Sequence, residues 1–239
     1  MKKILLTLLL TAGLTGCTSF EFEGVPTPDT ETQKILSLGL THDENLSAAQ
    51  NLTGAHMIAV VTGKLNQVED KKNKDMMDAI NIAKYSENVK VLEGDSEIKF
   101  EGSKISNSKR VGILDEFDYH DYFLKGKKDK NSGLIEHQLY LIIKYTWKKR
   151  RNYSSASFCD KWQGCENEER IAINLMSSSA SNCTPSACEY TERMELSLSD
   201  DFLRNNTDEE FSISFNSDKA TNKITLTSDY LKGYLKVAN

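Results

Sequence analysis

The sequence predicts a mainly β protein, an antiparallel β-sandwich or open barrel carrying one or two short helices. Two observations predict it. Across residues 134–147 apolar and polar residues alternate: Ile135, Leu139, Leu141, Ile143, Tyr145 and Trp147 share one face, and Glu136, Gln138, Lys144 and Thr146 the other. A period of two is the signature of a strand with one buried face. Further short runs alternate in the same way and are separated by turn-forming residues, which is how sandwiches and barrels read.

Along the chain, residues 18–32 hold Gly24, Pro26, Pro28 and several acids with little periodicity, and read as a tether. Residues 33–40 read as a short strand. Thr41 and Glu44 stand at capping-box spacing ahead of Leu46, Ala49 and Leu52, which predicts a short helix. The β-branched Ile58, Val60 and Val61 predict a strand over 57–65. Residues 73–85 are the clearest helix, with Met76, Met77, Ile80 and Ala83 at helical spacing and the methionines expected in a core. Strands follow at 89–92 and 97–101, broken at Gly94. Residues 117–124 and 134–147 flank a lysine-rich turn, 125–133, and predict a hairpin. Residues 170–176 and 190–198 alternate and are joined by a serine-rich loop holding Cys183 and Cys188. Phe211, Ile213 and Phe215, then Ile224 and Leu226, mark two last strands. Tyr230, Leu231, Tyr234 and Leu235 predict a turn or helix closing on the sheet. The folded body is expected over residues 33–239, with a candidate sub-boundary near 105–115.

The N-terminus speaks about address. Lys2 and Lys3 precede an apolar run from Ile4 to Leu10. A charged start and a short apolar core are the layout of a secretory signal. The run is far below the roughly 20 residues that span a bilayer. Leu14, Thr15, Gly16 and Cys17 then resemble the lipobox of bacterial lipoproteins: an aliphatic residue, two small residues and a cysteine. The resemblance covers residues 1–17. It implies a signal peptide over 1–16, cleavage between Gly16 and Cys17, a diacylglycerol on the Cys17 sulfur and an acyl chain on the new amino group. Two or more chains hold a protein stably, at about 0.8 kcal/mol per buried methylene. Residues 17–32 would then be the lipidated cysteine and its tether. Thr18 stands where enteric members that stay in the inner membrane carry aspartate, so the resemblance implies the outer membrane, facing the periplasm. The C-terminal third, from Ile171 through Cys183, Cys188, Glu189, Tyr190 and Glu192 to Tyr230, Gly233, Tyr234 and Leu235, loosely resembles bacterial envelope lipoproteins without an assigned activity. In them a cysteine pair precedes an acid-rich strand.

Composition narrows the function classes. Removing residues 1–16 leaves 223 of 239 residues and takes away two lysines and no acid, which moves the formal charge from −5 to −7. An acidic chain has no electrostatic basis for binding nucleic acid. With Cys17 committed to lipid, Cys159, Cys165, Cys183 and Cys188 remain. An even number in an oxidising compartment reads as two disulfides. Short loops favour Cys159 with Cys165 and Cys183 with Cys188, each contributing roughly 2 kcal/mol on the chain-entropy model; crossed pairing of the two loops is the alternative. A zinc site fits poorly, because the cysteine spacings are wide and no histidine lies near.

No nucleophile elbow, helical zinc-protease motif, phosphate loop or calcium loop is found, and no cofactor is expected. One constellation stands out: Asp115, Glu116, Asp118, His120 and Asp121, with His137 on the partner strand. Asp118, His120 and His137 are candidates for a divalent metal site or a His–carboxylate pair. The plain reading is a solvated, charged edge strand. The basic run 148–151 and the acids Glu166, Glu168 and Glu169 read as solvated loop faces, with a phospholipid-headgroup contact as the alternative for the first. Tyr119, Tyr122 and Phe123 read as core, with a partner-facing surface as the alternative. The expectation is a membrane-anchored binding or scaffolding module with an envelope protein partner. The alternatives are a metal-dependent or hydrolytic periplasmic enzyme centred on His120, and a periplasmic immunity protein against a basic toxin.

Overall fold

The computed structural model describes residues 26–111, 116–159 and 170–239, the side chains of 111, 116, 117 and 159 excepted. The expected signal peptide and cleavage site at Gly16–Cys17, most of the expected tether, Asp115, Cys165, Glu166, Glu168 and Glu169 lie outside the described residues. The chain divides into two compact units after Asn73.

The described residues of the first unit, 26–73, are mainly helical. Thr27 caps α1 (Pro28–Leu36) through a capping box with Thr30, and Pro28 occupies the first turn. This corrects two expectations, the tether beyond residue 27 and the strand at 33–40. A proline at the first helical position starts a helix, because its missing N–H needs no partner there. The second capping box works as the sequence predicts: the Thr41 side chain accepts from the Glu44 N–H, and α2 runs His42–Gln50. Helix α3, Ala55–Glu87, begins in this unit and continues into the second. Its first turns overturn the strand expected at 57–65. Met57, Val61 and Leu65 are four apart and lie on one helical stripe. Val61 and Leu65 are buried with Ile35 and Ala49 in a small core. Packing along that stripe overrides the β preference of three branched residues. Among the described residues no helix is long and apolar enough to cross a membrane.

The second unit is mainly β, with two antiparallel sheets in a sandwich-like arrangement. Its strands are β1 (Lys90–Glu93), β2 (Glu97–Glu101), β3 (Ile105–Val111), β4 (Glu116–Asp129), β5 (Ile135–Trp147), β6 (Ser155–Cys159), β7 (Ile171–Ala172), β8 (Asn174–Ser181), β9 (Cys188–Ser199), β10 (Phe211–Asn216) and β11 (Thr221–Leu226). Helices α4 (Asp200–Asn205) and α5 (Ser228–Val237) complete it. The larger sheet runs β1-β2-β4-β5-β9-β8, with β3 beside β4; the smaller runs β11-β10-β6-β7. β3 pairs with the first half of β4 and β2 with the second. The division after Asn73 lies well upstream of residues 105–111, which form β3 inside this unit.

The β4–β5 hairpin is as expected, with a tighter turn. β4 continues through Lys125 to Asp129, and Asp129 accepts from the N–H groups of Asn131 and Ser132. On β5 the odd positions face inward: Leu139, Leu141 and Ile143 are fully buried. Each contributes roughly 1.5–3 kcal/mol relative to exposure. They pack with Met194 and Leu196 of β9, Ile213 and Phe215 of β10, and Leu226 of β11.

Helix α5 closes this core. Tyr230, Leu231, Tyr234 and Leu235 are buried. The approach is so close that a Cβ on Gly233 would lie 2.5 Å from the Tyr85 Cβ and 2.9 Å from the Ile82 carbonyl of α3. Tyr230 accepts from the Leu124 N–H at 2.9 Å. Met76 and Met77 of α3, expected in a core, are exposed, as is Ile80. The periodicity there marks helix, and no described element of the second unit covers that face.

Candidate functional site

The even positions of β4 face the core, and this decides the fate of the acidic constellation. Asp118 is 4% exposed and His120 3%. The expected solvated edge strand is therefore corrected: β4 is flanked on both sides by β3 and β5, and its Asp118 and His120 lie inside the sandwich. Asp121, on the alternate face, meets Lys104 at 2.8 Å and Ser106 at 2.7 Å near the surface.

The partner of Asp118 is Arg151, which the sequence reading placed on a solvated loop. Its guanidinium meets both Asp118 oxygens, with Nη2 at 3.0 Å from Oδ1. It also lies 4.1 Å from the Tyr145 ring centroid. Burial alone would pull the guanidinium down, but its hydrogen bonds to Asp118 and Tyr153 hold it above its ordinary value. Arg151 is thus unavailable for lipid headgroups. A fork of donors matched to a carboxylate is the arrangement in which a buried pair can offset its desolvation.

Asn222 of β11 ties the two sheets together at this point. Its Nδ2 donates to Asp118 Oδ2 at 2.9 Å and to His120 Nε2 at 2.8 Å. Its Oδ1 accepts from Arg151 Nη1 at 3.3 Å and from the Tyr153 hydroxyl. Every polar position of the amide is used, which fixes its orientation. His120 Nε2 must then be an acceptor, so the ring is neutral with its proton on Nδ1. Burial lowers the His120 pKa, with Asp118 opposing. Burial pushes the Tyr153 hydroxyl up to about 12.

A second buried carboxylate, Glu192 of β9, lies beside this cluster. Tyr145 donates to its Oε1, as does the Asn152 N–H at 3.2 Å, and the Tyr153 N–H donates to its Oε2 at 3.3 Å. Asn152 adopts φ 55°, a left-handed conformation that asparagine tolerates. That single residue wraps the loop around the carboxylate. The Arg151 N–H in turn donates to the Tyr145 oxygen at 2.8 Å.

His137 belongs elsewhere. It pairs with Gly126, whereas His120 pairs with Ile143 six residues along β5. Six residues of strand are about 20 Å. The proposed cross-strand metal site of Asp118, His120 and His137 is therefore not assembled. Among the described residues no three His, Cys, Asp or Glu side chains converge as a metal would need. His137 instead bridges two helices, with Nε2 3.0 Å from Asp200 Oδ1 of α4 and Nδ1 3.0 Å from the Tyr234 hydroxyl of α5. Arg204 and His137 hold the Asp200 carboxyl low against its partial burial. The ionised carboxylate accepts a hydrogen bond from the Nε2–H, leaving Nδ1 to accept from Tyr234. The order Asp–His–hydroxyl is that of a nucleophilic triad. The Tyr234 hydroxyl, however, is buried against Gly126, where a Cβ would collide with it, and burial drives its pKa far up.

Of the four cysteines, Cys183 and Cys188 are disulfide-bonded at the β8–β9 turn. Cys159 ends β6, and its expected partner lies outside the described residues. Tyr122 is core, Phe123 half-buried, and Tyr119 is exposed, because odd positions of β4 face outward. Two lysines of β4 are drawn into ion pairs, Lys127 with Glu97 at 3.3 Å and Lys125 with Glu195 at 3.6 Å, and Lys128 donates to the Asn239 carbonyl at 2.6 Å. Sequence reasoning missed Arg151, Asn222, Glu192, Tyr145, Tyr153, Asp200 and Tyr234 as members of these networks. Their separations along the chain are long, and no local pattern announces them. Compared with known protein families, characterised proteins and solved structures, the chain matches none.

Proposed function

We propose that this chain is a bacterial envelope lipoprotein, anchored through lipid on Cys17, whose β-rich unit works by binding a protein partner without turning over a substrate. The supporting observation is where its ionisable groups are committed. Asp118, His120 and His137, the residues with catalytic or ligating potential, are buried and bonded to protein groups. A catalytic acid or base needs access to a reacting atom. These groups serve as internal ties between sheets and helices. The anchor supports the same reading, because confinement at a membrane raises the effective concentration of a modest binding face.

The test is the pair of substitutions His120→Gln and His137→Gln, made separately. In His120→Gln the new amide oxygen can still accept from Asn222, so the fold should persist. Partner complexes trapped by cross-linking in intact envelopes should form at wild-type levels in each folded variant. Loss of function in a folded His120→Gln protein, with stoichiometric metal bound by wild type and none by the variant, would favour a metal-dependent enzyme.

A further inference from the structure

Strand β8 is unlike the other sheet edges of this protein. A strand normally contributes a face to a core. Seven of the eight residues of β8 are exposed and Ser178 alone is half-buried, so the strand buries no apolar side chain. One flank pairs with β9. Among the described residues no strand pairs with the other flank, whose every second N–H and C=O points outward as a template for another strand.

Proteins protect such edges with charge or proline. The other described edge strands longer than two residues follow that rule: β1 carries Lys90 and Glu93, β3 carries Lys109 and Arg110, and β11 carries Lys223. β8 reads Asn-Leu-Met-Ser-Ser-Ser-Ala-Ser, with no charge and no proline, and leaves Leu175 and Met176 exposed. Its single irregularity is a bulge between Leu175 and Ser177. The hairpin is fixed at its turn by the Cys183–Cys188 bond, so the edge is ordered before any partner arrives.

We propose that β8 pairs with β8 of a second copy of this chain. The pairing is antiparallel across a two-fold axis and joins the two larger sheets into one. The edge lacks the like charges that keep copies of one strand apart, and this argues for a second copy as its occupant. In a chain with 27% charged residues, an eight-residue strand with none is one that can lie against itself without like charges facing each other. Two identical strands related by a two-fold axis must run antiparallel, so the contact closes at two copies. Leu175 and Met176 gain cover that they lack in the single chain. This dimer stands independently of the partner-binding reading, which holds equally for one copy or two.

The experiment is sedimentation equilibrium of the full mature chain in density-matched non-ionic detergent, on wild type and on Met176→Lys with Ser179→Lys. Wild type should show twice the single-chain protein mass at micromolar concentration. The lysine variant should show the single mass, with an unchanged β circular dichroism spectrum. A silent Ser179→Cys change keeps the test independent of the variant's folding: a short thiol cross-linker should join two copies through it. A single-chain mass for wild type, a dimer that survives both lysines, or an absence of Ser179→Cys cross-links would overturn the proposal. A different protein's strand seated on β8 in place of a second copy would overturn it as well.

Discussion

Asp118 and Arg151 form a buried, two-toothed ion pair between a central strand and the loop that follows β5, 33 residues apart. With Asn222 bonded to Asp118, the pair fastens the larger sheet to the smaller. Removing one partner strands a charge in the core. Asp118→Ala and Arg151→Ala should each cost about 3–5 kcal/mol. The double variant should cost clearly less than the sum. Urea denaturation of the four proteins checks this, and full additivity would contradict it.

Stability should fall as pH drops below about 6.5. His120 and His137 are both held neutral by burial, so their folded pKa values lie below the unfolded value of 6.5. Asp118 opposes that shift at His120, while Lys109 and Arg151 add to it; Asp200 opposes it at His137. A depressed pKa means that the unfolded chain binds the proton first. Their contribution is complete above the unfolded value and is lost as pH falls through the folded values. Urea midpoints measured at about pH 7.5 and 5.5 should separate in wild type, and separate less in His120→Gln with His137→Gln.

Two glycines are predicted to tolerate no side chain. Gly233→Ala would press a Cβ into Tyr85 and the α3 backbone, and Gly126→Ala into the Tyr234 hydroxyl and the His137 ring. Each should cost about 1–3 kcal/mol through overpacking. Gly63 lies within α3 with nothing inside 4 Å of its would-be Cβ. Gly63→Ala should instead stabilise by about 0.5–1 kcal/mol. Thermal unfolding of the three variants checks the contrast in sign.

The same residues show how far the sequence was legible. Period-two alternation identified β5 and β9, because an antiparallel sheet with one buried face writes its geometry into every second residue. The capping box at Thr41 located α2 for an equally local reason. The strands expected at 33–40 and 57–65 failed where helical packing of Ile35, Val61 and Leu65 outweighed β-branched propensity. Asp118 and His120 were visible as a constellation, but their environment was not. Its deciding members, Arg151 and Asn222, lie 33 and 104 residues from Asp118, and only the closed fold brings them together.

The disulfide at Cys183–Cys188 closes a ring with a sequence separation of 5. Cys183→Ser with Cys188→Ser should therefore cost only about 2 kcal/mol. The expected Cys159–Cys165 bond would leave the mature chain without a free thiol. Peptide mapping without reduction should recover both local pairs, and a crossed map would contradict the pairing.

The anchored-lipoprotein account is tested most directly by the intact mass and membrane partition of protein from cells making wild type or Cys17→Ser. The account predicts that wild type partitions with the envelope, begins at Cys17 and carries the added mass of a diacylglycerol and an acyl chain. Cys17→Ser should lack that mass and be recovered unprocessed or soluble. Wild-type protein with an unmodified Cys17, partitioning as the serine variant does, would contradict it.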